Sequence, residues 1–156
     1  MVAIHACPRN RNASERLWPE SYWAKLIDML PECIYIGTEE DRQYYERINR
    51  LSLRDASTAI LGKVPLSQIG NILLCCSYLV CVNSSIMHIA VYTNTPLVAI
   101  VGGTPARIIL PKRDNIKVLE DPGLMDWDED GEFKPRVSRL HEITPEMVME
   151  KIGELG

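Results

Sequence analysis

Residues 79–102, LVCVNSSIMHIAVYTNTPLVAIVG, decide the fold. The stretch opens with an apolar run, Leu79-Val80-Cys81-Val82, of the length of a strand buried on both faces. It stops at Asn83-Ser84-Ser85, residue types that cap helices because their short side chains accept the backbone N–H groups of a first turn. Residues 86–92 are apolar almost all round, as in a helix covered on most sides. Asn94-Thr95-Pro96 ends that helix, and a second apolar run, 97–101, leads into Gly102-Gly103. The reading is strand, helix, strand, with a polar turn at the C-terminal end of the first strand. In an open parallel sheet that edge holds ligands, and a helix starting there turns unpaired N–H groups toward an anion.

The same alternation extends outward. Residues 2–7 predict a first strand, followed by a polar loop to residue 16. Pro19 suits a first helical position, and Trp23, Leu26, Ile27 and Leu30 recur at helical spacing until Pro31. Residues 34–37 predict a second strand, 39–50 a charged, exposed helix and 58–61 a third strand. Pro65 opens a helix with Ile69, Ile72, Leu73 and Cys76 on one face. Downstream, 116–119 predicts a sixth strand, and Thr144-Pro145 starts a last helix, about 145–155, carrying Val148, Ile152 and Leu155. The segment 120–141 is charged, carries Pro122, Gly123 and Gly131, and is expected to be irregular. Apolar strands alternating with helices predict the α/β class: a single Rossmann-like domain over 1–156, its six-stranded parallel sheet covered on both faces.

At 156 residues the chain suits one domain with a real core. Its net charge of −4 counts against nucleic acid and against an anionic membrane as partners. No apolar stretch approaches the roughly 20 residues of a membrane span. No basic-then-apolar leader precedes the first strand, so a cytoplasmic location is expected. The five cysteines, Cys7, Cys33, Cys75, Cys76 and Cys81, are odd in number and read as free thiols in a reducing compartment. Cys75-Cys76 has no His or Cys partner at zinc spacing. Residues 126–131, DWDEDG, open like a calcium loop, but the position of the twelfth-residue carboxylate falls at Val137 and no entering helix precedes them. Neither a metal nor a cofactor is expected.

Four loops should meet at the C-terminal edge of the sheet. The first, 7–18, supplies Arg9, Arg11 and Arg16, and the second supplies Glu39 and Glu40, where a doubly wound sheet places an acid on a ribose. The third supplies Asn83, Ser84, Ser85 and His88, and the fourth supplies Gly102, Gly103, Thr104 and Arg107. Cations, helix N–H groups and a carboxylate together suit a nucleoside diphosphate. Each has a plainer reading. His88, one turn into an apolar helix, is either a hydrogen-bonded core histidine or a ligand contact. His5, inside a strand, reads as structural. The arginine loop is either a solvated charged loop or part of the site, and Trp18 and Trp23 are either packing residues or a sugar platform.

The order of motifs resembles a known family. Arg16-Leu17-Trp18-Pro19-Glu20-Ser21-Tyr22-Trp23 follows the first strand; then come Gly62-Lys63-Val64-Pro65-Leu66, Asn83-Ser84-Ser85-Ile86-Met87-His88-Ile89-Ala90 and Thr95-Pro96-Leu97-Val98-Ala99-Ile100-Val101-Gly102. Over about residues 2–120 this is similar to the C-terminal domain of glycosyltransferase family 9, the ADP-heptose:lipopolysaccharide heptosyltransferases, with a longer first loop. The resemblance implies one half of a GT-B fold, in which two such domains enclose the active site. It also implies roles: Arg16 contacts the donor, Glu39 holds the ribose, Val64 lines the adenine pocket, and Asn83, Ser84, Ser85 and His88 grip the diphosphate and sugar.

Two positions depart from the family. Asn83 stands where the family has Asp, losing a charge that orients sugar hydroxyls, and Ser85 stands where it has Gly, adding a Cβ where backbone approaches phosphate. The implied partner is a nucleotide diphosphate sugar, ADP-linked by preference, and the implied reaction is inverting glycosyl transfer without a metal. The acceptor site and base belong to the family's N-terminal domain, so this chain alone is expected not to transfer sugar and to seek an N-terminal half or a second copy. Two rival readings are a non-catalytic module that binds a nucleotide sugar or a partner, and one chain of a split enzyme.

Overall fold

The computed structural model describes residues 1–8, 16–54, 57–123 and 137–156. Arg9, Arg11 and the acidic stretch 126–131 lie outside the described residues. The strands are β1 (Val2–His5), β2 (Cys33–Gly37), β3 (Ser57–Leu61), β4 (Tyr78–Val82), β5 (Leu97–Val101) and β6 (Ile116–Glu120). The helices are α1 (Glu20–Met29), α2 (Arg42–Leu51), α3 (Leu66–Leu74), α4 (Ser85–Thr93), α5 (Ala106–Ile109) and α6 (Pro145–Gly153). All six strands are parallel, in the order β3-β2-β1-β4-β5-β6. The expected α/β architecture is present, and winding reverses between β1 and β4, where doubly wound sheets open a crevice.

Each strand sends alternate side chains into two apolar layers. Val2, Ile4, Val80, Val82, Val98 and Ile100 pack with α1, α2 and α6. Ala3, Ile34, Ile36, Leu79, Cys81, Leu97, Ala99 and Val101 pack with α3, α4 and α5. Trp18 and Trp23 are 1% and 0% exposed and meet edge to face at 4.9 Å, so they are packing residues of the first layer. The Trp18 indole Nε1 donates to the Ile143 carbonyl (2.8 Å), tying the start of α1 to the C-terminal segment.

Helix ends follow the local chemistry. Ser84 caps α4 through the Met87 N–H (3.4 Å), and Asn94, at φ 58°, ends it in the left-handed region that asparagine tolerates. Thr144 caps α6 through the Met147 N–H (3.3 Å), with Pro145 next. Beyond β6 the chain is knotted by one buried carboxylate. Asp121 accepts from the Gly123 N–H (2.8 Å), the Ser138 hydroxyl (2.8 Å) and the Arg139 N–H (2.9 Å). Only glycine fits at 123, where a Cβ would lie 2.6 Å from the Val137 carbonyl.

The last helix stops at Gly153, short of the expected 155, and two boundaries near the sheet's C-terminal edge also differ from expectation. The first strand ends at His5 rather than at residue 7, because β1 and β2 part there and a phenol bridges them. Tyr45 accepts from the Ala6 N–H (3.0 Å) and donates to the Ile36 carbonyl (2.9 Å). The helix expected over 39–50 begins as a tight 3-10 turn, Glu39–Asp41, before α2. The Asp41 carboxylate reaches back to the Thr38 N–H (2.7 Å) and hydroxyl (2.9 Å) and holds that turn.

Candidate functional site

A cleft of about 480 Å³ lies at the C-terminal edge of the sheet. Its walls come from Cys7 and Pro8 after β1, from 36–41 at the end of β2, from Gly62 and Val64 after β3, from α3, and from Ser84, Ser85 and Ile86 at the start of α4. Gly62 has φ +64°, and a Cβ there would lie 2.9 Å from the Glu39 backbone nitrogen. Glycine thus lets the β3 loop press on the β2 turn and close that end of the cleft.

Polar groups and apolar walls are segregated. Ile36, Val64, Leu66 and Ile69 form an apolar side. His5 lines the cleft at 7% exposure, its Nδ1–H donating to the Ile36 carbonyl (2.7 Å). Burial pushes its pKa below the ordinary 6.5, against the pull of the Ile36 carbonyl and the Asp41 charge, so the ring is neutral at pH 7. Two carboxylates, Glu40 and Asp41, face it across the Thr38 turn. On the other side stands the N-terminus of α4. Ser84 Oγ occupies the Met87 N–H. The Ser85 and Ile86 N–H groups belong to the same first turn, where a helix has no acceptor of its own. The site can therefore hold a molecule with a flat apolar part, hydroxyls and an anionic group.

The structure gathers some of the expected residues and not others. Val64, Ser84 and Ser85 line the cleft, and Asn83, half-buried, immediately precedes the cap. Of the two glutamates, Glu40 lines it, whereas Glu39 is turned out into a bidentate ion pair with Arg42 (Nη2 to Oε2, 2.6 Å). The Arg16 Nε is buried with no hydrogen-bond partner among the described residues. His88 is exposed and outside the cleft lining, so it is no core histidine. Gly102, Gly103 and Thr104 follow β5, the next strand along the edge, but do not line the cleft. The α5 start beyond them is already neutralised, the Glu120 carboxylate accepting the Ala106 N–H (2.6 Å). Arg107 lines a separate cleft at the β6 edge.

Cys7, Thr38, Asp41 and His5 as a lining residue were missed. One signal was available. Thr38-x-x-Asp41 has capping-box spacing and marks a tight turn directly after β2. His5 is the one charged-type residue in an apolar strand, which shows that it is special but not which way it faces.

Comparison with known proteins agrees with this architecture. The model of glycosyltransferase family 9 (heptosyltransferase) matches residues 2–124. Lipooligosaccharide heptosyltransferase 2 of Haemophilus influenzae is 30% identical over 164 residues, covering 97% of this chain and 46% of that protein. The glycosyl transferase family 9 structure from Veillonella parvula superposes with a TM-score of 0.81 at 18% identity, over 99% of this chain and 45% of that one. E. coli heptosyltransferase WaaC with ADP gives a TM-score of 0.77 at 17% identity, over 99% and 44%. The chain thus spans about half the length of the relatives it matches, as one half of a GT-B fold does. The family model's extent and the six-stranded parallel sheet agree: this chain belongs to glycosyltransferase family 9, the heptosyltransferases.

Proposed function

We propose that the domain binds a nucleotide diphosphate sugar, ADP-linked by preference, and forms the donor half of an inverting heptosyltransferase of lipopolysaccharide synthesis. One observation carries the reading: an apolar wall, a carboxylate and a helix N-terminus converge on one cleft at the sheet's reversal point. The base lies against Val64, Leu66 and Ile69, and the ribose hydroxyls donate to Glu40, one residue on from the family match at Glu39. The diphosphate lies over Ser84, Ser85 and Ile86, with Arg16 as its cation. The Haemophilus relative's name and the ADP held by the E. coli structure support this choice of ligand. Asn83 and Ser85 weaken the grip relative to the family, the first by losing a charge and the second by adding a Cβ.

Catalysis in this half is stabilisation of the leaving diphosphate. As the acceptor hydroxyl attacks the anomeric carbon, negative charge grows on the departing phosphate. In this reading the N–H groups of α4 stabilise that charge, and Arg16, which does not itself line the cleft, supplies a cation from the segment before α1. The acceptor and the base that takes its proton come from a second domain, either an N-terminal half or a separate chain. Five free cysteines suit a cytoplasmic site of action.

Calorimetry with ADP, UDP and GDP tests the reading. ADP is expected to bind, and absence of binding by any of the three at millimolar concentration would sink it. A transferase assay with ADP-heptose and a lipopolysaccharide-core acceptor is expected to give turnover only when an N-terminal domain is supplied. Multiple turnovers without it would show that the acceptor side has been misassigned.

A further inference from the structure

A second cleft, about 330 Å³, runs along the β6 edge, at the far end of the sheet from β3. Five cations line it: Arg107 of α5, Lys112 and Arg113 of the turn after it, Lys117 of β6 and Lys151 of α6. Among the described residues no carboxylate lines it. Glu154 lies alongside, one carboxylate shared between Lys151 (2.6 Å) and Lys117 (4.0 Å). Arg113 is ordered through its backbone partner, Nη1 donating to the Val91 carbonyl (3.0 Å).

An edge strand is commonly blunted by a lysine, and Lys117 alone would serve. Here four separate segments bring cations to one place, although the chain's 21 acidic residues outnumber its 17 Lys and Arg. The overall charge of −4 therefore conceals a basic edge. Two large exposed apolar side chains are next in sequence to residues of this edge. Ile108, 50% exposed, follows Arg107, and Tyr92, 89% exposed, follows the Val91 whose carbonyl Arg113 holds.

We propose that this edge docks the domain on an anionic membrane surface, with Lys112, Arg113, Lys117 and Lys151 meeting lipid phosphates and Tyr92 and Ile108 entering the head-group layer. Charge complementarity favours the surface, and the acidic remainder of the chain is repelled by it, which selects one orientation. Exposed aromatic and aliphatic tips beside cations are what interfacial binding uses and what a free phosphate does not need. The inference is independent of the nucleotide-sugar reading, and its test needs no nucleotide.

The test is co-sedimentation of the chain with phosphatidylcholine vesicles, with and without phosphatidylglycerol, over a range of salt. Binding is expected only to the anionic vesicles and is expected to fall as salt rises. The double variant Lys112→Gln, Lys151→Gln is expected to lower partitioning about 30-fold, two basic side chains each contributing about 1 kcal/mol near an anionic surface. Tyr92→Ser, at a side chain with no core contact to lose, should lower it independently and guards against a folding defect in the double variant. Failure to bind anionic vesicles, or binding that neither variant changes, overturns the proposal. So does equally variant-sensitive binding of inorganic pyrophosphate or RNA without vesicle binding, which would make the cleft a soluble-anion or nucleic-acid site.

Discussion

Tyr45→Phe isolates the group that bridges β1 and β2 where their pairing ends. The phenol is 1% exposed, accepts from the fully buried Ala6 N–H at 3.0 Å and donates to the Ile36 carbonyl at 2.9 Å. Burial holds its pKa well above the ordinary 10, so it remains a donor throughout the stable pH range. Phenylalanine keeps the ring and its 4.4 Å stack on Tyr35. The Ile36 carbonyl keeps His5 as a donor. What is lost is the acceptor for one buried N–H, and an orphaned buried donor costs about 1–3 kcal/mol. A destabilisation of about 2 kcal/mol is expected, or about 4–8 °C in Tm for a chain of this size. Urea unfolding should show a lower midpoint at unchanged slope, because the surface exposed on unfolding is the same. The segment carrying Cys7 and Pro8 should also loosen, weakening ADP binding in parallel. A stability loss below about 0.5 kcal/mol would refute the view that the phenol replaces a missing rung of the ladder.

Asp121→Ala removes the acceptor of three donors and should cost about 3 kcal/mol by urea denaturation; an unchanged midpoint would mean that water replaces the carboxylate. Because burial depresses the His5 pKa, the unfolded chain binds a proton first on acidification, so stability is full above pH 6.5 and falls below it. His5→Gln should flatten that slope below pH 6.5 in urea midpoints taken across pH, and an equally steep slope would assign it to other groups. Arg16→Ala should weaken ADP binding by about 1–3 kcal/mol in calorimetry, and retained affinity would remove that residue from the site. Glu40→Gln should weaken ADP binding and Glu39→Gln should not; the reverse result would return the ribose role to Glu39.

The fold was legible because it rests on apolar runs and breakers. Leu79-Val80-Cys81-Val82 and Leu97–Val101 have no polar residue to put on a solvated face, so a sheet covered on both sides was the consistent reading. The N-terminus of α4 was legible for a similar reason: Ser84 follows an apolar strand and precedes an apolar helix. Side-chain direction was not. Glu39 and Glu40 are equivalent by spacing, and only the tight turn imposed by Thr38 and Asp41 decides that one lines the cleft and the other pairs with Arg42. Arg107 looked like part of the glycine loop's site because it follows it by a few residues. The short α5, its start capped by Glu120, carries it over to the β6 edge instead. The basic edge itself was invisible in net charge, since its cations are scattered over 45 positions and meet only when β6 and α6 are in place.

The bond from Trp18 to Ile143 joins residues 125 positions apart, and it governs the order in which the molecule can be finished on the ribosome. The sheet's centre is laid down early, with β1, but β1 waits for β4 to pair its second side. Even then the apolar layer around Trp18 and Trp23 lacks its cover, because Leu140, Ile143 and Val148 follow β6 in the chain. A nascent chain stalled after β6 would present a complete parallel sheet with one face partly bare. That is the stage at which a chaperone would find this domain, and at which a C-terminal truncation would strand it.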